Sequence, residues 1–454
     1  MNDIFKIDTN KQSTKEKKKL SPPQILAIGF ISVIFVGAFL LTLSIATVDG
    51  KGLPFIDALF TATSAVCVTG LIVVDTGSVF SVFGQIIILF LIQIGGLGFM
   101  TFATFFAILL GKKINLQERM LLQEAYNQSS LEGIVRLAKY IFMGSFLIEG
   151  IGFVILAVRW SFDFNLGKAL YYALFHTISA FNNAGFDLFG NSLMRFQNDF
   201  VTNLTVMALI VIGGIGFTVI LDLYPKRGKR LSLHSWIVIR TTGLLIAIGA
   251  ILFFLLEFNN PDTLGSLGYQ GKILASMFQS VTPRTAGFNT LNLSALNDTT
   301  VLLLIVLMFI GASPGSTGGG VKTTTFMTIL LSVFSMFRNK YQVTIHGRSI
   351  PREVIQKAVA IMTLAIMWII LVTGLLTITE SANFMTLLFE TVSAFGTVGL
   401  TLGVTPSLSL IGKILIILTM FIGRVGLLTI AFSIGKVNNP GNQAKYPESK
   451  IMVG

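Results

Sequence analysis

Charge is scarce in this chain. Only 12% of its 454 residues are Asp, Glu, Lys or Arg, about half the share of a soluble globular domain. Cysteine is nearly absent, and the lone Cys67 excludes a disulfide framework within the chain. The three histidines, His176, His234 and His346, stand too far apart for metal-ligand spacing. No cleavable leader is expected either. Residues 1–22 are polar and basic, and the first apolar run is a full span without a small-residue cleavage pattern.

Apolar residues make up 53% of the chain. They form runs at 25–46, 82–110, 237–256, 299–310, 358–378 and 411–434. Crossing a bilayer takes about 20 apolar residues, so most of these runs read as membrane spans and a soluble protein with a large apolar core is excluded. The net charge of +12 invites a nucleic-acid reading, but its placement argues for a lipid bilayer as partner and against nucleic acid. Basic residues gather in the N-terminal tail, at 112–119, at 226–230 and at 338–357. Short basic segments beside spans mark the cytoplasmic side. The other connections carry acids such as Asp163, Glu257 and Asp262. Both termini are therefore expected in the cytoplasm, with eight spans between them.

A fourfold repeat runs through the chain. Its marks are Gly70, Gly185, Gly287 and Gly399, spaced 115, 102 and 112 residues apart. Each has a large apolar residue ten positions before it and another just after it. Ser64, Ser179 and Ser393 stand six before their glycines, where the third copy has Val281. A second glycine follows each mark by 24 to 28 residues: Gly95, Gly213, Gly311 and Gly423. The units run over 23–111, 132–224, 235–340 and 353–435, between a basic tail at 1–22 and a C-terminal tail at 436–454. Each reads as an outer span, a short helix of roughly 11 residues that covers half a bilayer, a returning glycine loop and an inner span. Irregular backbone at membrane depth is tolerated only inside protein or around water, which four loops about one axis provide. The expected fold is an all-α membrane protein of four span–pore helix–loop–span units around a central pore.

Such a pore suits a dehydrated cation, because rings of backbone carbonyls replace its water. Glycine adopts the backbone angles that aim carbonyls inward, and the C-terminal ends of the short helices add partial negative charge. The candidate filter comprises Val66, Cys67, Val68, Thr69 and Gly70; Asn182, Asn183, Ala184 and Gly185; Arg284, Thr285, Ala286 and Gly287; and Gly396, Thr397, Val398 and Gly399. Cys67 is expected to offer only its carbonyl. Three of these loops hold one glycine where the potassium-channel loop holds two, so modest discrimination is expected, with potassium and rubidium preferred over sodium. Arg284 reads as a scaffold residue paired behind its loop with Glu390 or a carbonyl.

The third inner span is interrupted by Gly311, Ala312, Ser313, Pro314, Gly315, Ser316, Thr317, Gly318, Gly319, Gly320, Val321 and Lys322. Its glycines and proline break any helix interior, and a polar loop under a filter is a gate candidate. The stretch nearly matches a phosphate-binding loop, but Val321 replaces the glycine required before lysine and no strand precedes it. Ser313 or Ser316 as a nucleophile lacks a nearby base in sequence, so an enzyme is not expected. Arg424, in the fourth inner span, is an intramembrane charge and hence a functional candidate, placed to bond loop carbonyls and hold the gate shut. Glu149, also within a span, reads as a structural partner.

With these marks in view, the chain resembles the Ktr/Trk/HKT superfamily of potassium transporters, most closely its Ktr-type membrane subunits. The likeness runs from about residue 23 to the C-terminus. It is carried by 284–289 (Arg-Thr-Ala-Gly-Phe-Asn), 315–322, the arginine of 423–426 and the ending 445–454. The resemblance implies a homodimer with one pore per subunit, filter glycines at 70, 185, 287 and 399, a gating loop at 312–322 and a gating arginine at 424. It implies potassium as the transported ion, sodium as an activator and no cofactor on this chain. Nucleotide is implied only on a cytosolic regulatory ring, and the tail at 437–454 is implied to reach across the dimer in the plasma membrane.

Overall fold

The computed structural model describes residues 20–110, 112, 114–125, 131–223, 231–340, 342–345, 347–427 and 429. The basic tail before residue 20, the loop at 224–230 and the C-terminal tail with its expected dimer contact lie outside the described residues.

Four helices are long and apolar enough to cross a membrane: Pro22–Leu41, Ile134–Trp160, Leu233–Glu257 and Arg352–Thr379. At about 1.5 Å per residue each reaches 30 Å or more. Their outward faces carry exposed Phe35, Phe39, Leu147, Ile251 and Ile370. A helix that is apolar on its outside as well as its inside is suited to lipid. Each long helix is followed by a shorter one: Phe55–Val66, Leu166–Phe181, Tyr269–Val281 and Phe384–Gly396. These have 12, 16, 13 and 13 residues, somewhat longer than expected. They are buried along their C-terminal halves, with Phe60, Phe175, Phe278 and Phe389 among the largest fully enclosed side chains.

After each loop the chain enters a third helix: Val82–Leu97, Phe200–Ile215, Asp298–Phe309 and Leu410–Val425. Side chains at Ser81, Asp199 and Ser409 cap three of these by accepting backbone N–H bonds. These helices do not continue straight, which corrects the expectation that only the third is interrupted. Gly98, Gly216 and Gly426 adopt φ of 82°, 98° and 93°, and no α-helix passes through such a residue. The chain turns by 91° after Leu97 and by 99° after Ile215. The third helix stops at Phe309, and helical structure resumes at Thr323–Phe337. A small antiparallel pair, Thr344–Ile345 with Arg348–Ser349, links this segment to the last long helix.

Each of these third helices packs against the short helix of the next unit: Val82–Leu97 on Leu166–Phe181, Phe200–Ile215 on Tyr269–Val281, and Asp298–Phe309 on Phe384–Gly396. The series closes with Leu410–Val425 on Phe55–Val66. The largest apolar cluster spans that last contact, joining Ala58, Phe60 and Val66 to Ile416 and Met420.

Candidate functional site

The four short helices end on loops with one backbone plan. Gly70, Gly185, Gly287 and Gly399 all have positive φ, from 69° to 90°. Two residues earlier, Val68, Asn183, Thr285 and Thr397 are also left-handed, with φ of 57°, 59°, 70° and 50°. Three of these are β-branched residues in a conformation they rarely take, and the sequence reading missed this second site of handedness. Alternating hands along a strand turn successive carbonyls to one side, which is what an ion-lining loop requires. Val66 and Gly396 are the last residues of their helices, and Cys67 and Asn182 are C-caps in helical conformation.

The glycines meet in a ring. A Cβ on Gly70 would stand 2.4 Å from the Ala184 carbonyl oxygen, and one on Gly185 2.8 Å from that of Ala286. A Cβ on Gly287 would stand 2.5 Å from the Val398 carbonyl, and one on Gly399 2.0 Å from that of Thr69. Each glycine thus abuts the carbonyl that precedes the next glycine, and the fourth returns to the first. No side chain fits at any of the four places.

Hydroxyls fix the loops to their helices. Ser64 Oγ accepts from Gly70 N at 3.0 Å, and Ser393 Oγ accepts from Gly399 N at 3.1 Å. In the second unit Ser179 Oγ donates to the Phe186 carbonyl at 2.8 Å. In the third unit Thr282 Oγ1 donates to the Phe288 carbonyl. The third copy therefore has its hydroxyl, one position after the aligned Val281.

Behind the loops lies a set of buried polar groups. The Asn182 amide donates to Gln93 Oε1 at 2.7 Å and to Glu149 Oε1 at 3.1 Å. Gln93 Nε2 donates to the same carboxylate at 2.9 Å. Glu149 thus has the structural partners expected of it, and the Asn182 side chain points away from the ring. Asn183 Nδ2 donates to the Arg284 carbonyl and to Thr285 Oγ1, both at 3.2 Å, and so ties the second loop to the third. The Arg284 guanidinium is buried and bonds Thr242, at 3.4 Å to the carbonyl and 3.2 Å to Oγ1. The expected carbonyl partner is present. Glu390 is not its partner, because that carboxylate accepts from Thr401 and Thr405 within its own unit.

Below the ring, the second glycines explain themselves by close approach. A Cβ on Gly95, Gly213 or Gly423 would come within 2.0 Å of the carbonyl of Val66, Phe181 or Phe395. Gly311 lacks that contact and instead meets the Gly319 carbonyl. The stretch from 310 to 322 forms a folded loop under the ring, with Ala312, Ser313, Thr317, Gly318 and Gly319 buried and Pro314, Gly315 and Ser316 partly exposed. Ile310 and Val321 bridge its ends. Ser313 N and Thr317 N donate to Gly214 O and Gly213 O. Gly320 N donates to Gly423 O, and Gly319 N to Thr397 Oγ1 at 3.0 Å. Lys322 Nζ donates to Gly318 O at 2.8 Å. The serine hydroxyls are used inside the loop, Ser313 with Thr323 and Ser316 with the Ser313 carbonyl.

Arg424 spans the opening. Its guanidinium donates to the Thr317 carbonyl of this loop on one side, and to the Gly95 and Gly96 carbonyls of the first unit on the other. A cavity of about 280 Å³ opens beneath, lined by Gly96, Gly315, Ser316, Lys322 and Arg424 among others.

The profile of the TrkH family, described as cation transport protein, matches residues 7–443. The chain belongs to the TrkH family. Among relatives of this TrkH-family chain, the Ktr system potassium uptake protein B of Bacillus subtilis is 48% identical over 437 residues, 96% of this chain and 97% of the relative. The potassium/sodium uptake protein NtpJ of Enterococcus hirae is 40% identical, over 96% and 98% of the two chains. The crystal structure of the potassium transporter TrkH from Vibrio parahaemolyticus superposes with a TM-score of 0.74 over 93% of this chain and 86% of that one. At 18% identity that match establishes the shared helical fold. The Ktr/Trk resemblance read from the motifs therefore holds.

Proposed function

We propose that this chain carries potassium across the plasma membrane, through a single pore formed by four pseudo-repeated units with eight spans and cytoplasmic termini. The observation that carries the reading is the closed ring of Gly70, Gly185, Gly287 and Gly399, each against the carbonyl before the next glycine. Such a ring offers oxygen ligands in place of a hydration shell. The names of the relatives support potassium as the substrate. The loop at 311–322 is the gate, and Arg424 latches it to the first unit. The working form is a homodimer on a cytosolic nucleotide-binding ring, and this chain itself holds no cofactor.

The test is rubidium uptake into liposomes holding the purified protein, with Gly70→Asp as control. Uptake that is lost or made unselective by the substitution supports the reading. Absence of uptake both in the native protein and after deletion of 313–319 overturns it. A sodium-coupled symporter is the second reading, favoured by the potassium/sodium name of the Enterococcus hirae relative. A current that reverses at the potassium equilibrium potential whatever the sodium gradient refutes coupling.

A further inference from the structure

Three of the four contacts between successive units are bridged by the chain itself. The fourth, between Leu410–Val425 and Phe55–Val66, joins the last unit to the first and has no covalent link nearby. One ion pair crosses it: Lys413 Nζ to Asp57 Oδ1 at 2.6 Å, 356 residues apart in sequence. The other ion pairs among the described residues, Arg159 with Asp163 and with Asp199, lie within the second unit.

The position is built for a cross-unit contact. Lys413 stands four residues after the capping Ser409, and Gln85 stands four residues after the capping Ser81. Gln85 reaches the next short helix too, where its Oε1 accepts from Tyr171 Oη at 2.6 Å. One place in the repeat is thus used twice to hold a neighbour, once with neutral groups and once with charges. The charged version is strained without its partner. Lys413 lies in the first turn of its helix, where the partial positive charge opposes a cation, whereas Asp57 in the first turn of Phe55–Val66 is favoured. Both side chains are largely enclosed, at 16% and 17% exposure, so the pair is shielded from the screening that weakens surface pairs.

We infer that Lys413 and Asp57 form the clasp that closes the ring of units, and that they set ion discrimination by positioning the first filter loop against the fourth. The consequence lies at the far end of the same short helix. There the approach of Gly399 to the Thr69 carbonyl is the tightest of the four. A short helix free to tilt at its first turn carries Thr69 away from Gly399 and loosens the oxygen ring. The inference rests on the cation-pore reading. Both residues are positioning residues, and neither touches the ion.

The experiment measures rubidium uptake with and without competing sodium, using the full chain in liposomes. Asp57→Asn and Lys413→Gln are each expected to lose most of the rubidium-over-sodium preference. Lys413→Arg and the reversed pair, Asp57→Lys with Lys413→Asp, are expected to restore most of it. Unchanged preference in the single variants overturns the inference. So does a loss that neither Lys413→Arg nor the reversed pair repairs, because the charges would then act on the ion separately. If a single variant does not fold, the reversed pair decides alone: folded and selective supports the clasp, folded and unselective refutes it. Failure of the pore reading looks different, since native and gate-deleted protein would then pass no rubidium.

Discussion

Replacing Arg424 by alanine tests the proposed latch under the proposed filter. The guanidinium makes three bonds to backbone carbonyls, and one of them, to Thr317, holds the loop. The bonds to Gly95 and Gly96 join two helices and do not involve the loop. The alanine therefore shifts the closed–open balance by one charge-assisted bond, about 1.5–3 kcal/mol. At 1.4 kcal/mol per factor of ten, the open fraction rises about 10- to 150-fold. Removal of a positive charge from the cation path acts in the same direction. The assay is the initial rate of rubidium uptake in liposomes at matched protein, with chromatographic monodispersity as the check on folding. A folded variant with an unchanged or lower rate refutes the latch. The same substitution made after deletion of 313–319 separates the two contributions. The part that works through the loop vanishes in that background, and an effect of equal size in both backgrounds would show that the loop is not what Arg424 holds.

Deleting 313–319 is itself expected to raise uptake, and reduced flux in folded protein would remove the loop as gate. Gly213→Ala places a Cβ 1.9 Å from the Phe181 carbonyl, so a marked loss of thermal stability is expected in detergent. Gly374→Ala meets nothing within 4 Å in the interior of a long helix and should stabilise by about 0.5–1 kcal/mol, read as a higher unfolding temperature. Glu149→Leu leaves the Gln93 Nε2 donor unsatisfied at about 1–3 kcal/mol, while the Asn182 amide keeps Gln93 Oε1 and the Ile178 carbonyl; Glu149→Gln keeps an acceptor for Gln93. Thermal unfolding should rank native first, Gln next and Leu last.

The glycines that meet in a ring and the break in helix at 311–322 were legible because they rest on glycine. A residue that is needed for its missing side chain leaves a spaced mark in the sequence. Arg424 was legible because a charge in an apolar run stands out. What stayed hidden depends on side-chain direction. The Asn182 side chain is one case: a C-cap in helical conformation sends its amide back toward Gln93 and Glu149. Of the two partners expected for Arg284, a carbonyl is present, that of Thr242 on the long helix of its own unit, and Glu390 is not; charge suggested charge, but which carbonyl lay within reach was not written in the sequence. The bends at Gly98 and Gly216 were invisible in runs that stay apolar on both sides of the turn. Thr282 was missed because alignment by glycine fixes the end of the loop but not the length of the helix before it.

The hydroxyl anchors divide the four loops into two kinds. Ser64 and Ser393 hold the N–H of their glycines, while Ser179 and Thr282 hold the carbonyl one residue beyond. The first and fourth units are neighbours in the ring, and so are the second and third. The ring of loops is therefore bilateral, with two unlike halves: in one a hydroxyl accepts from the glycine N–H, in the other it donates to the carbonyl one residue beyond. Equal substitutions in facing loops will not have equal effects, and a blocker that fits one half has only one way to sit.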